Sequence, residues 1–181
     1  MSRLVEIVPL DISDQGLLSA LAAEIERVYS LDCRVVQAAE LPVDCLDMGR
    51  QQYHATCILE HLADARMDAF RLLGVCAVDL FTPVLRYVFG EAMLPGRAAL
   101  LSTYRLGIIP PGDKTSGDRS VFTSRVLKEG VHELGHTFGL THCKDPECAM
   151  AASLDTGHID VKQTRLCYYC KVILGDKLES K

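Results

Sequence analysis

Residues 132–142 read His-Glu-Leu-Gly-His-Thr-Phe-Gly-Leu-Thr-His, and their spacing implies a specific chemistry. On a helix, His132 and His136 lie four positions apart and project from one face, at a separation that a single Zn²⁺ can bridge. Gly139 can take the left-handed conformation that ends a helix and turns the chain, and that turn returns His142 as a third nitrogen donor. Glu133, next to the first histidine, is placed to act as general base on a metal-bound water. Three protein donors and a position left for water describe a catalytic zinc site rather than a closed structural one. With this composition a bare H-E-x-x-H arises by chance in roughly one sequence in a hundred; Gly139 and His142 reduce that to about a few in a hundred thousand.

Eight cysteines also need a reason. The start, Met1-Ser2-Arg3-Leu4-Val5-Glu6, has no long apolar h-region, and no apolar run reaches membrane-spanning length. The expected compartment is the cytoplasm, where thiols stay reduced. Cys33, Cys45, Cys57 and Cys76 are scattered among apolar stretches and are expected as buried thiols packing as small hydrophobes. Cys143 and Cys148, with the C-x-x-C pair Cys167 and Cys170, match a Cys₄ structural zinc site. Two disulfides, an iron–sulfur cluster or a redox dithiol are the alternatives. A metal there would convert binding energy into folding energy and clamp the C-terminal segment onto the turn carrying His142.

The elements that must position these residues follow from periodicity. Leu4–Pro9 is expected as a first strand. A helix capped by Ser13 should follow, with Leu17, Leu18, Leu21, Ile25 and Val28 on one face. Arg34–Gln37 is a second strand and Gln51–Arg66 a second helix burying Tyr53, Cys57, Ile58 and Leu62. The apolar run Leu72–Val78 has the composition of a central strand covered on both faces. Strands over Tyr87–Ala92 and Ala98–Tyr104 flank a turn at Pro95-Gly96, and Pro110–Asp118 is a loop by composition. The motif helix should run from Ser120 to Phe138. Its apolar stripe of Leu127, Val131, Leu134 and Phe138 packs on the sheet, so His132 and His136 face a cleft. Alternating strands and helices give an α/β (α+β) class, a twisted mixed sheet with packing helices.

The 181 residues form one domain, 1–181, with a sheet and helix part over 1–138 and a cysteine-rich part over 139–181. A formal charge of −5 argues against a nucleic-acid surface. No membrane partner is expected, and oligomeric state is not encoded in any feature.

H-E-x-x-H-x-x-G-x-x-H followed by a downstream Met resembles the metzincin signature. The continuation His142-Cys143-Lys144-Asp145-Pro146-Glu147-Cys148-Ala149-Met150, closed by Cys167-Tyr168-Tyr169-Cys170, resembles the archaemetzincin branch. A weaker likeness runs through Gly74-Val75, Asp79-Leu80 and Phe89-Gly90-Glu91-Ala92. The resemblance implies a minimal metzincin fold, with a twisted mixed sheet, two long helices above it and the cleft below. It also implies that His132, His136 and His142 bind a catalytic zinc and that Glu133 is the general base. Met150 would be the Met-turn floor, and Cys143, Cys148, Cys167 and Cys170 would hold a second zinc. Two features depart from the family: the spacer from Met150 to Cys167 is sixteen residues, one shorter than usual, and Ala151-Ala152-Ser153-Leu154 replaces a more polar or aromatic stretch.

The implied activity is peptide-bond hydrolysis on a peptide or protein substrate. An extended peptide could add to the sheet edge at Tyr87–Ala92, and Glu91 or Asp155 could receive a free amino terminus. No latency segment or zinc-blocking upstream cysteine is recognisable, so no proteolytic activation is expected. The competing classes are a zinc-stabilised binding module with little turnover, which Glu133 argues against, and a thiol-redox protein using Cys167 and Cys170.

Overall fold

A computed structural model of the chain describes residues 3–107 and 119–179; the Pro110–Asp118 loop lies outside them. Strand β1 (Val5–Leu10) is buried along its whole length, as its apolar run requires. Its one charge, Glu6, is held by Arg34 at 2.6 Å and Arg66 at 2.9 Å. Helix α1 (Gln15–Tyr29) starts one residue later than expected: the Asp14 carboxylate, not Ser13, accepts the Leu17 N–H at 3.1 Å.

Strand β2 (Cys33–Val35) lies slightly upstream of the expected segment. A 3-10 turn (Val43–Cys45), β3 (Leu46–Asp47) and β4 (Gln52–His54) then precede helix α2 (Ala55–Ala65). The expected helix from Gln51 thus begins only at Ala55. Gln52–His54 pair with neighbouring strands instead, and the Tyr53 N–H donates to Asp79 O at 2.8 Å; tertiary pairing overrides local propensity. Cys45 and Cys57 are joined by a disulfide, where separate thiols were expected. Cys76 is buried and Cys33 half-buried, both free.

Strands β5 (Arg71–Cys76), β6 (Leu80–Phe81), β7 (Gly90–Ala92) and β8 (Ala98–Ser102) follow. The motif helix is α3 (Arg119–Thr137), and α4 (Thr156–Val161) and α5 (Tyr168–Glu179) complete the described chain. The main sheet has the order β2-β1-β5-β8-β7, parallel except for β7, which runs antiparallel to β8 at one edge. A second sheet, β3-β4-β6, stands beside it.

Strand alternation sorts the core into two layers. Val5, Ile7, Leu73, Val75, Ala99 and Leu101 pack with α1 and α3. Val8, Leu10, Leu72, Cys76, Ala98 and Leu100 pack with α2 on the other face. The first layer also takes in Cys148, Met150, Cys167 and Leu174, so the C-terminal segment shares the main core. Among the described residues, no helix is long and apolar enough to cross a membrane.

The seating of α3 depends on one missing side chain. A Cβ on Gly130 would lie 2.6 Å from Leu21 of α1 and 3.5 Å from Leu101 of β8. Gly130→Leu is expected to destabilise the fold by about 1–3 kcal/mol through overpacking, read as a lower urea midpoint at unchanged m-value.

Candidate active site

The C-terminal half of helix α3, from Glu129 on, is buried nearly all round. Val126, Val131, Leu134 and Phe138 supply the apolar contacts, with Leu127 only half-buried. The polar residues that were expected to face an open cleft are almost as covered: His132 is 4% exposed, Glu133 6% and Glu129 2%.

The helix ends as the glycine predicts. Gly139 adopts φ +87°, its N–H donates to His136 O at 2.8 Å, and Leu140 N–H donates to Gly135 O at 3.2 Å. The chain reverses and brings His142 back. The three imidazoles cluster with centroids 4.6, 5.1 and 5.3 Å apart, and one ring nitrogen from each lies within 4.8 Å of the others. The Nε2 atoms of His132 and His136 are 3.1 Å apart.

Their Nδ1 atoms point away from this centre. His132 Nδ1 lies 2.9 Å from Ala149 O, and His136 Nδ1 lies 2.7 Å from Leu140 O. A carbonyl can only accept, so each Nδ1 carries its proton and each Nε2 is left as a lone-pair donor. Burial lowers the basicity of both rings, most strongly for His132, which keeps them neutral. Three convergent neutral imidazole donors fit one Zn²⁺.

Glu133 sits beside this triad. Burial, reinforced by the charges of Glu129 and Glu91, pushes its carboxyl well above the usual carboxylate range. Its position is set by Gly90 on β7: a Cβ there would lie 2.6 Å from Glu133 Cγ, 2.7 Å from Cδ and 2.4 Å from Leu100 O. Only a residue without a side chain lets the edge strand approach the carboxylate so closely.

Between β7 and the triad runs a cleft of about 570 Å³, lined on one wall by Tyr87–Ala92 and on the other by His132, Glu133, His136 and His142, with Ala152–Leu154 at the end. The strand itself is only Gly90–Ala92, shorter than the expected Tyr87–Ala92, but it forms the sheet edge. Of the two acids considered for a free amino terminus, Glu91 lines this cleft and accepts from the Thr56 hydroxyl at 3.0 and 2.9 Å. Asp155 instead caps α4 and pairs with His158 at 2.9 Å.

The segment after the histidines is folded under α3. A Cβ on Gly135 would lie 2.4 Å from Met150 Sδ, so the fully buried Met150 packs directly against the helix between the two histidines. Cys143 Sγ is 3.7 Å from Cys167 Sγ, and Cys148 Sγ is 3.8 Å from Cys170 Sγ; all four sulfurs lie within 4.8 Å of one another. A disulfide needs about 2.05 Å. The edge of a tetrahedron with Zn–S of about 2.3 Å is roughly 3.8 Å, so the geometry fits a Cys₄ metal and excludes paired disulfides. Backbone N–H groups of Asp145 and Cys167 point at Cys143 and Cys148 Sγ, at 3.4 and 3.3 Å, as suits thiolates.

Sequence reasoning missed Glu129 on α3 and two partners of that helix, Tyr29 and Lys162. The Tyr29 hydroxyl donates to Val131 O at 2.6 Å, just before His132. Glu129 and Lys162 form an ion pair at 2.5 Å with side chains 3% and 0% exposed. Lys162 Nζ also donates to Ala151 O at 3.1 Å and approaches His132 Nδ1 at 3.5 Å. Glu129 was detectable in principle, being four residues before Glu133 and so on the same face. Lys162 carried no local signal.

The family model of peptidase family M54 matches residues 18–176. The chain is 37% identical to the archaemetzincin of Haloquadratum walsbyi over 172 residues, covering 94% of this chain and 99% of that one. It is 32% identical to that of Archaeoglobus fulgidus over 166 residues, covering 92% and 95%. Among solved structures, the archaemetzincin of Methanopyrus kandleri superposes with a TM-score of 0.86 at 32% identity, covering 98% and 96% of the two chains. The Archaeoglobus fulgidus archaemetzincin complexed with malonate gives 0.81 at 32% identity, covering 94% and 99%.

Three variants test this arrangement. Gly90→Ala is expected to lower kcat by about 10²-fold by displacing Glu133 or the edge strand, with zinc content unchanged; steady-state kinetics and metal analysis read the two separately. Lys162→Met strands a buried carboxylate and should cost about 3–5 kcal/mol in chemical denaturation. Adding Glu129→Gln should recover much of that loss, and a strictly additive double variant would show that the two side chains are uncoupled.

Proposed function

The chain belongs to peptidase family M54, the archaemetzincin zinc metallopeptidases, and from that premise we propose a specific division of labour among its residues. His132, His136 and His142 hold a catalytic zinc, Glu133 is the general base, and Cys143, Cys148, Cys167 and Cys170 hold a second, structural zinc. Met150 forms the apolar floor under the histidines, and residues 1–181 act as one catalytic unit with the cysteine-rich part, 139–181, as its brace. The observation that carries this reading is the convergence of three imidazole nitrogens, two with Nδ1 committed to backbone carbonyls, beside a buried carboxylate and a sheet edge.

When bound, zinc supplies Lewis acidity that lowers the pKa of water and polarises a carbonyl. The remaining steps belong to side chains and backbone. A peptide lies extended along β7, antiparallel to it or parallel, using the backbone groups of Gly90–Ala92 that face the cleft. Glu133, raised in basicity by its burial, takes the proton of the attacking water and returns it to the leaving amine nitrogen. Covering the carboxylate with β7 excludes bulk water from the proton's path and strengthens the electrostatic interactions there. The substrates are peptides or proteins; nucleic acid and membrane play no part in the proposal.

The test is digestion of a diverse peptide library by the reduced, zinc-loaded protein, read by mass spectrometry, with Glu133→Ala as control. Cuts present with the wild type and absent with the variant, at equal zinc content, are the expected result. No cuts from a fully zinc-loaded wild type would overturn the catalytic assignment and favour a binding role for the same cleft.

A further inference from the structure

The disulfide between Cys45 and Cys57 stands within a group of four potential ligands. Asp44 and Cys45 come from the 3-10 turn, and Cys57 and His61 from α2. One donor atom of each lies within 4.8 Å of the others. Cys57 and His61 are four positions apart on one helix face, the same spacing by which His132 and His136 converge. His61 Nε2 already lies 3.0 Å from Asp44 Oδ2. None of the four lines the catalytic cleft.

We propose that the Cys45–Cys57 pair is a redox-gated metal site: once the disulfide is reduced, Cys45, Cys57, His61 and Asp44 bind one Zn²⁺. The reading is independent of the active-site assignment. Two thiolates, an imidazole and a carboxylate are a donor set that Zn²⁺ accepts in tetrahedral coordination. The Cα atoms of the two cysteines are 5.6 Å apart. Their sulfurs need only separate to a distance like the 3.7 Å between Cys143 and Cys167, which rotation about the two Cα–Cβ bonds can supply. Cys45 is buried, while the side chains of Asp44 and His61 are 64% and 50% exposed. The site therefore has an apolar back and an open front through which an ion can enter.

The steps balance. Two thiols of a cellular reductant deliver two electrons and two protons, break the S–S bond and leave as their own disulfide, giving Cys45–SH and Cys57–SH. Binding of Zn²⁺ then releases those two protons as the sulfurs become thiolate ligands. Oxidation reverses both steps and expels the metal. The residue before Cys57 is Thr56, whose hydroxyl contacts both oxygens of Glu91 in the catalytic cleft, so the gate sits at the end of α2 that borders the substrate path.

The experiment compares zinc per full-length chain in two forms, oxidised and reduced with a phosphine, which supplies the same electron pair without competing for zinc. Each form is incubated with Zn²⁺ alone, freed of unbound metal and analysed by mass spectrometry of the metal. The reduced form is expected to hold one zinc more per chain than the oxidised form. Cys57→Ser should abolish that difference. His61→Ala, which keeps the disulfide and so controls for folding, should weaken the extra ion at least by the roughly tenfold that loss of even a supporting partner costs, read by chelator competition. Equal zinc in both forms of the wild type would overturn the proposal. An extra zinc that persists in Cys57→Ser would also overturn it, assigning the change to the Cys143 cluster.

Discussion

A helix whose C-terminal half buries its polar face as thoroughly as its apolar one must find a partner for every charge it hides, and the rest of this structure is organised around that demand. Arg125, Glu129, His132 and Glu133 of α3 are all buried. An unpaired buried charge costs several kcal/mol, far more than any single contact on the apolar side returns. The partners come almost entirely from one stretch of chain. Asp160 grips Arg125 through both carboxylate oxygens, at 2.8 and 2.6 Å. Lys162 pairs with Glu129, and Ala149 O takes the His132 Nδ1 proton. Residues 149–162 are thus held in place by the polar needs of the helix, and in turn they fix the helix's histidines.

Glu133 is the exception in this scheme, and its surroundings are what separate the carboxylate proposed as general base from its paired neighbour. Glu129, one turn earlier, has a lysine at 2.5 Å and is committed to it. Glu133 feels the negative charges of Glu129 and Glu91 and the more distant attraction of Lys162. Two buried carboxylates on one helix face are therefore pushed into different roles by their surroundings: one neutralised by an ion pair, the other kept available to a proton. The close approach of Gly90 then fixes where the available one stands.

The candidate site was more legible in the sequence than the architecture around it. The triad and the Cys₄ cluster could be located because each rests on short spacings, and short spacings translate directly into geometry through helix pitch, a glycine turn and a tight cysteine loop. The ends of α3 came out within one residue for the same reason: its periodicity and its glycine stop are local. What escaped was set by contacts distant in sequence. Lys162 meets Glu129 across 33 positions, and no pattern near either residue announces it. Gln52–His54 have no strand signature, yet they pair with Leu46–Asp47 and Leu80–Phe81 because those segments offer free edges. Cys45 and Cys57 were read as separate thiols because they stand scattered among apolar stretches of a chain expected in a reducing compartment, and only the fold brings them together.

The resulting support for the three histidines is unequal, which bears on how the two proposed metals depend on each other. His132 and His136 stand on a helix fixed by the sheet, α1 and the 149–162 stretch, with both Nδ1 positions satisfied. His142 follows the turn and is exposed, and its firmest tether is covalent: the next residue is Cys143. That residue is bound in turn by a backbone hydrogen bond from its N–H to Met150 O at 2.8 Å and by a bridge to Ala151. A metal gathering Cys143, Cys148, Cys167 and Cys170 would stiffen the loop from 143 to 150 and lower the entropy that His142 loses on joining the other two. The coupling is reciprocal, since whatever the cysteine metal adds to the histidine site must return as tighter cysteine binding when that site is filled. The sequence places a proposed structural ligand, Cys143, directly after a proposed catalytic one, His142, and the fold makes that adjacency the shortest mechanical link between the histidine and cysteine clusters.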